Sequence, residues 1–290
     1  LMASNYKNNK IISYFENVGA KLSYSVDKES LSIIIRSLSD LDQLIYLTSI
    51  VNKALFSNKL DNNILNLEKE KIKRSLDDSK KSPGSILEAS ISENLFSGTG
   101  LSHQILGNKD SIKKISNNMI LDHRDKIFNL NNIEINIVGD IDIKGAKRII
   151  SSISSRMPIS KTSEQHTYTM MNTNYHVEFD SEQSHLSIVI PSITRDHPDY
   201  HSLYVANYIF GGGGFGSWLM KEIREKRGLS YSVYSFLGSY TDQGYMRISL
   251  QTKNSNLDLT KKIIMSQIKR LKNFDVTDNK IETVKKSILK

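Results

Sequence analysis

The chain has 290 residues, enough for about two domains, with 38% hydrophobic and 24% charged residues, the balance of an ordinary globular protein. No apolar run approaches the ~18 residues of a membrane-spanning helix, and the absence of cysteine excludes a disulfide framework, a thiolate metal site and a thiolate nucleophile. The net charge of +8 comes from lysines and arginines scattered over helical segments such as Lys69-Glu-Lys-Ile-Lys-Arg74, which reads as a solvated helix face; no basic cluster interleaved with stacking aromatics marks a nucleic-acid binder.

Along the chain, Gly19-Ala-Lys-Leu-Ser-Tyr-Ser-Val26 leads into an apolar run, Leu31 to Ile35. Asp40 to Ala54 carries apolar residues at helical spacing, and a charged helix comes next over Leu67 to Leu76. Further helices are expected over about Pro83 to Phe96 and Ser111 to Phe128, then a strand, Ile133 to Val138, and a helix from Lys144 to Ile153. Met157 to Asn172, with Pro158 and several Ser and Thr residues, reads as a linker. Beyond it, Tyr175 to Phe179 and His185 to Ile190 alternate like half-buried strands. A helix is expected from Asp196 as cap, with Pro198 in its first turn, through Ile209, where glycines end it. A helix over Ser217 to Lys226 comes next, then the Arg227-Gly228 break and a strand containing Tyr231. Another strand, Tyr245 to Leu250, and helices over Leu257 to Leu271 and Ile281 to Leu289 complete the series.

Gly228-Leu-Ser-Tyr-Ser-Val233 nearly repeats the segment at Gly19, and both copies continue as strand, strand, helix, helix, with Leu229 standing 207 positions after Leu22. An internal repeat decides the fold before any local reading does. The chain is therefore expected to be α+β and to consist of two homologous domains, residues 1–156 and 173–290, joined by the linker 157–172. Each copy lacks an end that the other has, so both domains are expected to be incomplete and the chain to be the middle of a longer parent.

Several motifs compete for the chemistry. Gly211-Gly-Gly-Gly-Phe-Gly216 fits G-x-G-x-x-G, but a helix precedes the loop where a dinucleotide fingerprint needs a strand. Glycines there suit a reversal between helices, with Gly211, Gly212, Gly213, Gly214 and Phe215 free to meet an extended peptide. His197 and His201 have the spacing of helical metal ligands, yet they sit at a helix start with no third ligand nearby, and the other histidines are isolated. Arg224 and Tyr231 lie on either side of the Arg227-Gly228 break and could converge, a donor pair suited to a peptide carbonyl or a developing oxyanion. Spacing alone favours the plainer alternative, Arg224 paired with a neighbouring Glu and Tyr231 packed in the core.

Resemblance shifts that balance. Phe210 to Val233, and above all Lys221-Glu-Ile-Arg-Glu-Lys-Arg-Gly-Leu-Ser-Tyr231, resembles the second domain of the insulinase/pitrilysin-like zinc peptidases, the inverzincins, which include the processing peptidases. Phe15 to Ala20, Leu95-Phe96 with the loop carrying His103 and Gly107, and Ile137-Val-Gly-Asp140 extend the similarity over the whole chain. The resemblance implies that each domain is a two-layer α/β sandwich, a mixed, mostly antiparallel sheet with helices on one side. It also places Arg224 and Tyr231 on the family's substrate-holding positions. The zinc motif H-x-x-E-H is absent, and where the third zinc ligand should fall the chain has Asp77-Asp78 in place of Glu-Glu. Trp218 stands where relatives often carry Arg.

The same resemblance implies a non-catalytic subunit that binds no cofactor itself. Its zinc would lie in an H-x-x-E-H partner, in a heterodimer or a homodimer acting on peptides or unfolded polypeptides. The rivals are a fragment of a complete zinc peptidase with the motif upstream of Leu1, and a non-proteolytic structural or peptide-binding homologue. Export to the periplasm is expected on the same ground.

Overall fold

The computed structural model describes residues 10–58, 60–159, 169–273 and 276–289; most of the expected linker, 160–168, lies outside them. The chain forms two compact units. One comprises the described residues up to Asp78 and those from Gln104 to 159, and the other Ser79–His103 with those from 169 onward. The segment expected as the middle of the first domain thus packs with the second unit.

In the first unit, α1 (Lys10–Glu16) leads to the antiparallel pair β1 (Lys21–Val26) and β2 (Leu31–Arg36), with Leu22 opposite Ile35 and Tyr24 opposite Ile33. Leu22, Ile33 and Ile35 pack on Ile11, Phe15, Leu47, Ile50 and Val51, the last three from α2 (Leu41–Leu55). α2 begins where it should, because the Asp40 side chain accepts from the Gln43 N–H. α3 (Asn62–Ser79) is next along the chain. The expected helix over Ser111–Phe128 is two helices, α5 (Lys109–Lys114) and α6 (Asn117–Ile127), because Ile115 leaves the helical conformation and the Ser116 side chain caps the next helix at Met119. α7 (Ile143–Ser154) lies along α2, fixed by the Thr48 hydroxyl donating to Ser152 Oγ at 3.0 Å and the Asn52 amide donating to the Ile153 carbonyl. Ile133–Val138 pairs with no strand among the described residues, and Val138 is exposed.

In the second unit, β3 (Gln183–Ser192), β4 (Val233–Ser239) and β5 (Gly244–Lys253) form an antiparallel sheet in the order β3-β5-β4. β5 is central, so Met246, Ile248, Leu250 and Thr252 are buried on one face and Arg247 and Ser249 on the other. The first face carries the core: Phe210, Leu219 and Ile223, Ile264 and Ile268 of α9 (Leu257–Lys272), and Val284 of α10 (Asp278–Ile288). Each side chain buried to this degree contributes roughly 1.5–3 kcal/mol. Across the second face lies α4 (Pro83–Leu95), whose Glu88 forms a two-armed ion pair with Arg247, Oε2 to Nη1 at 2.6 Å and Oε1 to Nη2. Arg247 Nε also donates to Ser187 and Ser249, so all three nitrogens of the guanidinium are engaged.

Two expectations fail here. Tyr175–Phe179 is exposed and joins no ladder among the described residues. α8 (Tyr200–Asn207) starts later than the expected cap at Asp196, because Pro198 disfavours helical backbone at the residue before it, and it runs on past Asn207 into the helical turn Tyr208–Gly212. Asp196 is occupied instead by the Thr194 hydroxyl.

The repeat is visible in the turn that ends its first helix. In the first copy the Ala20 N–H reaches the Phe15 carbonyl and the Gly19 N–H reaches that of Glu16. The second copy makes the same pair of bonds, Leu229 to Ile223 and Gly228 to Arg224, each spanning one residue more. Gly19 (φ 65°) and Gly228 (φ 60°) hold the left-handed position that such caps demand.

Candidate functional site

α8 runs into a π-helical turn, Tyr208–Gly212, and a second π turn, Met220–Glu225, lies beyond the glycine loop. Wide turns of this kind cost hydrogen-bond quality and recur at functional sites. Both are fixed from below: Phe210, Leu219 and Ile223 are fully buried, and Asn207 and Ser235 bond each other inside the unit, hydroxyl to amide oxygen at 2.7 Å.

The five loop residues divide. Gly211 is buried, and a Cβ on it would lie 2.5 Å from Ser235 Oγ and 2.8 Å from Ser235 N, so this glycine serves the close approach of loop and β4 and offers no surface to a ligand. Gly212 and Gly213 likewise have Asn207 and Tyr208 where a Cβ would stand. Gly214, at φ 62°, turns the loop so that Phe215 projects, 64% exposed.

Tyr231 lies two residues before β4 and outside the ladder, contrary to its expected place in the strand. Thr252 on β5 donates to the Leu229 carbonyl at 2.7 Å, and the Ser230 hydroxyl donates to the Ser232 carbonyl at 2.7 Å while accepting from the Ser232 N–H. These bonds close a small loop around Tyr231 and leave its ring 84% exposed. The flanking serines are visible in the sequence, but only the Ser230–Ser232 contact shows them presenting the tyrosine.

Arg224 and Tyr231 do come together, and the contact is with the tyrosine ring. The Arg224 Cζ stands 4.4 Å from the Tyr231 ring centroid and 4.7 Å from that of Phe215. The plainer alternative fails on both counts. The neighbouring Glu222 is held by Lys226 (2.5 Å) and Arg227 (2.6 Å), not by Arg224, and Tyr231 is not in the core. No carboxylate of the described residues pairs with Arg224.

The Lys226 ammonium, and after it the Arg227 guanidinium, hold the Glu222 carboxyl below its ordinary value of 4.5. A depressed carboxylate stabilises the fold above its unfolded pKa and loses that contribution as pH falls through the folded value. Glu222→Gln is therefore expected to lower the unfolding midpoint at pH 7 and to narrow its difference from wild type below about pH 4. A difference that stays constant across a thermal-melt pH series would contradict this.

Asp77, the side chain nearest the expected third-ligand position, is paired with Lys109 at 2.5 Å. His197 Nδ1 accepts the Asp199 N–H. Among the described residues no group of three His, Cys, Asp or Glu side chains stands where it could hold a metal ion, so they do not fit a zinc ion. None of the described helices is long and apolar enough to cross a membrane.

Comparison with known proteins agrees with this architecture. The chain is similar to the crystallised peptidase M16 inactive domain from Pseudomonas fluorescens, with a TM-score of 0.89 and 26% identity over 97% of this chain and 69% of that one. It is 22% identical over 282 residues, 96% of its length, to a Bacillus subtilis protein named uncharacterized zinc protease YmxG, of which it spans 68%. It is 28% identical over 211 residues, 70% of its length, to a Helicobacter pylori protein named non-peptidase homolog YmxG, of which it spans 48%. Residues 114–288, more than half the chain, match the family model described as the peptidase M16 inactive domain, and the chain belongs to that family.

Proposed function

We propose that this chain is the supporting subunit of a zinc-dependent endopeptidase, holding an extended peptide with Arg224 and Tyr231 while an H-x-x-E-H partner carries the metal. The observation that carries this reading is the Arg224 guanidinium, unpaired by any described carboxylate and lying over two exposed rings beside a glycine loop. A guanidinium held over rings keeps its in-plane N–H groups for an acceptor, and a peptide carbonyl or a developing oxyanion supplies one. The Tyr231 hydroxyl, carried on a ring already against that guanidinium, is a second donor close to the first. Among the described residues β3 and β4 each border β5 alone, and the domain's edge strand suits an extended peptide adding as another strand, although at Ser235 the β4 carbonyl already accepts from Asn207. In the partner, zinc would supply the activated water.

The family description as an inactive domain supports a subunit without its own zinc, and the two relatives, one named a zinc protease and one a non-peptidase homologue, allow either role for the whole protein. The substrate class, peptide or unfolded polypeptide, the heterodimer and the periplasmic location belong to the same proposal. The test is zinc content. The full-length protein, purified alone without added metal, is expected to contain far less than one zinc per chain and to gain chelator-sensitive casein cleavage only with the partner. About one tightly held zinc per chain would make it a self-sufficient peptidase and overturn the reading.

A further inference from the structure

We propose that Phe215 is a positioning residue for Arg224, not a contact for substrate; the proposal rests on the reading of Arg224 as the substrate-holding donor. The backbone on both sides of the stack is fixed. Ser217, 1% exposed, anchors the tip of the glycine loop, its N–H and its hydroxyl both donating to the Gly214 carbonyl at 3.0 and 2.7 Å. Beneath Arg224, Ile223 is fully buried, and the Arg224 carbonyl accepts from Gly228. The long arginine side chain is the part that backbone bonds leave free. The neighbouring Glu222 is taken by Lys226 and Arg227, and no carboxylate of the described residues pairs with Arg224.

The Tyr231 ring covers one face of the guanidinium and the Phe215 ring lies 4.7 Å from the same Cζ. One ring would leave the group free to swing off its face. A second ring 4.7 Å from the same Cζ restricts that swing, so the N–H edge is oriented before any ligand arrives. Phe215 has no polar atom and adds nothing to a peptide's hydrogen bonding, so its contribution runs through Arg224.

The test combines a spectrum with kinetics. In arginine-labelled full-length protein, the Arg224 Nε–Hε resonance, assigned with Arg224→Lys, is expected upfield of the other arginines through the ring currents. Phe215→Ala should return it to the common envelope. In the complex with the zinc-bearing subunit, Phe215→Ala should lower kcat/KM on fluorescein-labelled casein by about tenfold, whereas Phe215→Trp should keep both the shifted resonance and the activity within about twofold. An unshifted resonance in wild type would overturn the proposal. So would a shifted resonance lost in Phe215→Ala with unchanged turnover, or equal losses in Phe215→Ala and Phe215→Trp with the resonance of the tryptophan variant intact. Failure of the underlying reading shows separately, as unchanged turnover in Arg224→Ala.

Discussion

Arg224→Ala and Tyr231→Phe are each expected to lower turnover by the assembled peptidase on the order of 10²-fold while leaving assembly intact. The size reflects the removal of one preorganised donor at a position where charge develops during reaction. The two substitutions differ in what they leave behind. Tyr231→Phe removes the hydroxyl but keeps a ring 4.4 Å from the Arg224 Cζ, so it isolates the donor role from the stacking role. Arg224→Ala removes the donor and leaves two exposed rings, Phe215 and Tyr231, with nothing between them. Steady-state cleavage of labelled casein, with size-exclusion chromatography to show that the complex forms, is the measurement. Wild-type turnover in both variants would remove the site.

The largest expected effect on stability lies on the other face of the same sheet. Glu88→Ala leaves the Arg247 guanidinium, only 10% exposed, without its carboxylate. Removing one partner of a fully buried ion pair costs about 3–5 kcal/mol. Glu88 is itself 59% exposed, so water reaches the vacated side and the expected loss is smaller, about 2 kcal/mol. In a unit of this size that corresponds to a fall in Tm of about 4–8 °C. Adding Arg247→Met should recover part of the loss, because it removes the orphaned charge. If the double variant melts below Glu88→Ala, the pair is not the source of the effect.

The sequence is legible where periodicity and chemistry coincide. Asp40 announces the start of α2, and the repeated Leu-Ser-Tyr-Ser-Val run marks two stretches, each preceded by a helix cap with a left-handed glycine. Antiparallel pairing of β3, β4 and β5 accords with alternation that a single apolar face enforces. Two runs with the same alternation, Ile133–Val138 and Tyr175–Phe179, form no ladder among the described residues. Strand pattern specifies which face is apolar, whereas pairing depends on a neighbour that no local signal names. α4 stands with the first domain in chain order, and nothing local separates it from that domain. Its place in the second unit depends on Glu88 meeting Arg247, a contact 159 residues apart in sequence.

The site is half legible. Arg224 and Tyr231 stand out by resemblance, and the Arg227-Gly228 break allows their convergence without requiring it. That Arg224 stacks on rings depends on Phe215, which the sequence presents only as one residue in a glycine run. That Gly211 is shielded by Ser235 depends on the depth at which the loop passes under β4.

The extra residue spanned by the second copy's turn has a consequence for the helix that precedes it. Lengthening a helix by one residue ordinarily rotates everything upstream by about 100°, which would swing Leu219 and Trp218 out of their packing. A π turn confines that slip to a single loop of backbone. Gly228 therefore stands five positions after Ile223, where Gly19 stands four after Phe15, without disturbing the interior behind it. From glycine to tyrosine the balance reverses, three positions to Tyr231 against five to Tyr24, so the tyrosine is drawn in toward the turn that carries Arg224.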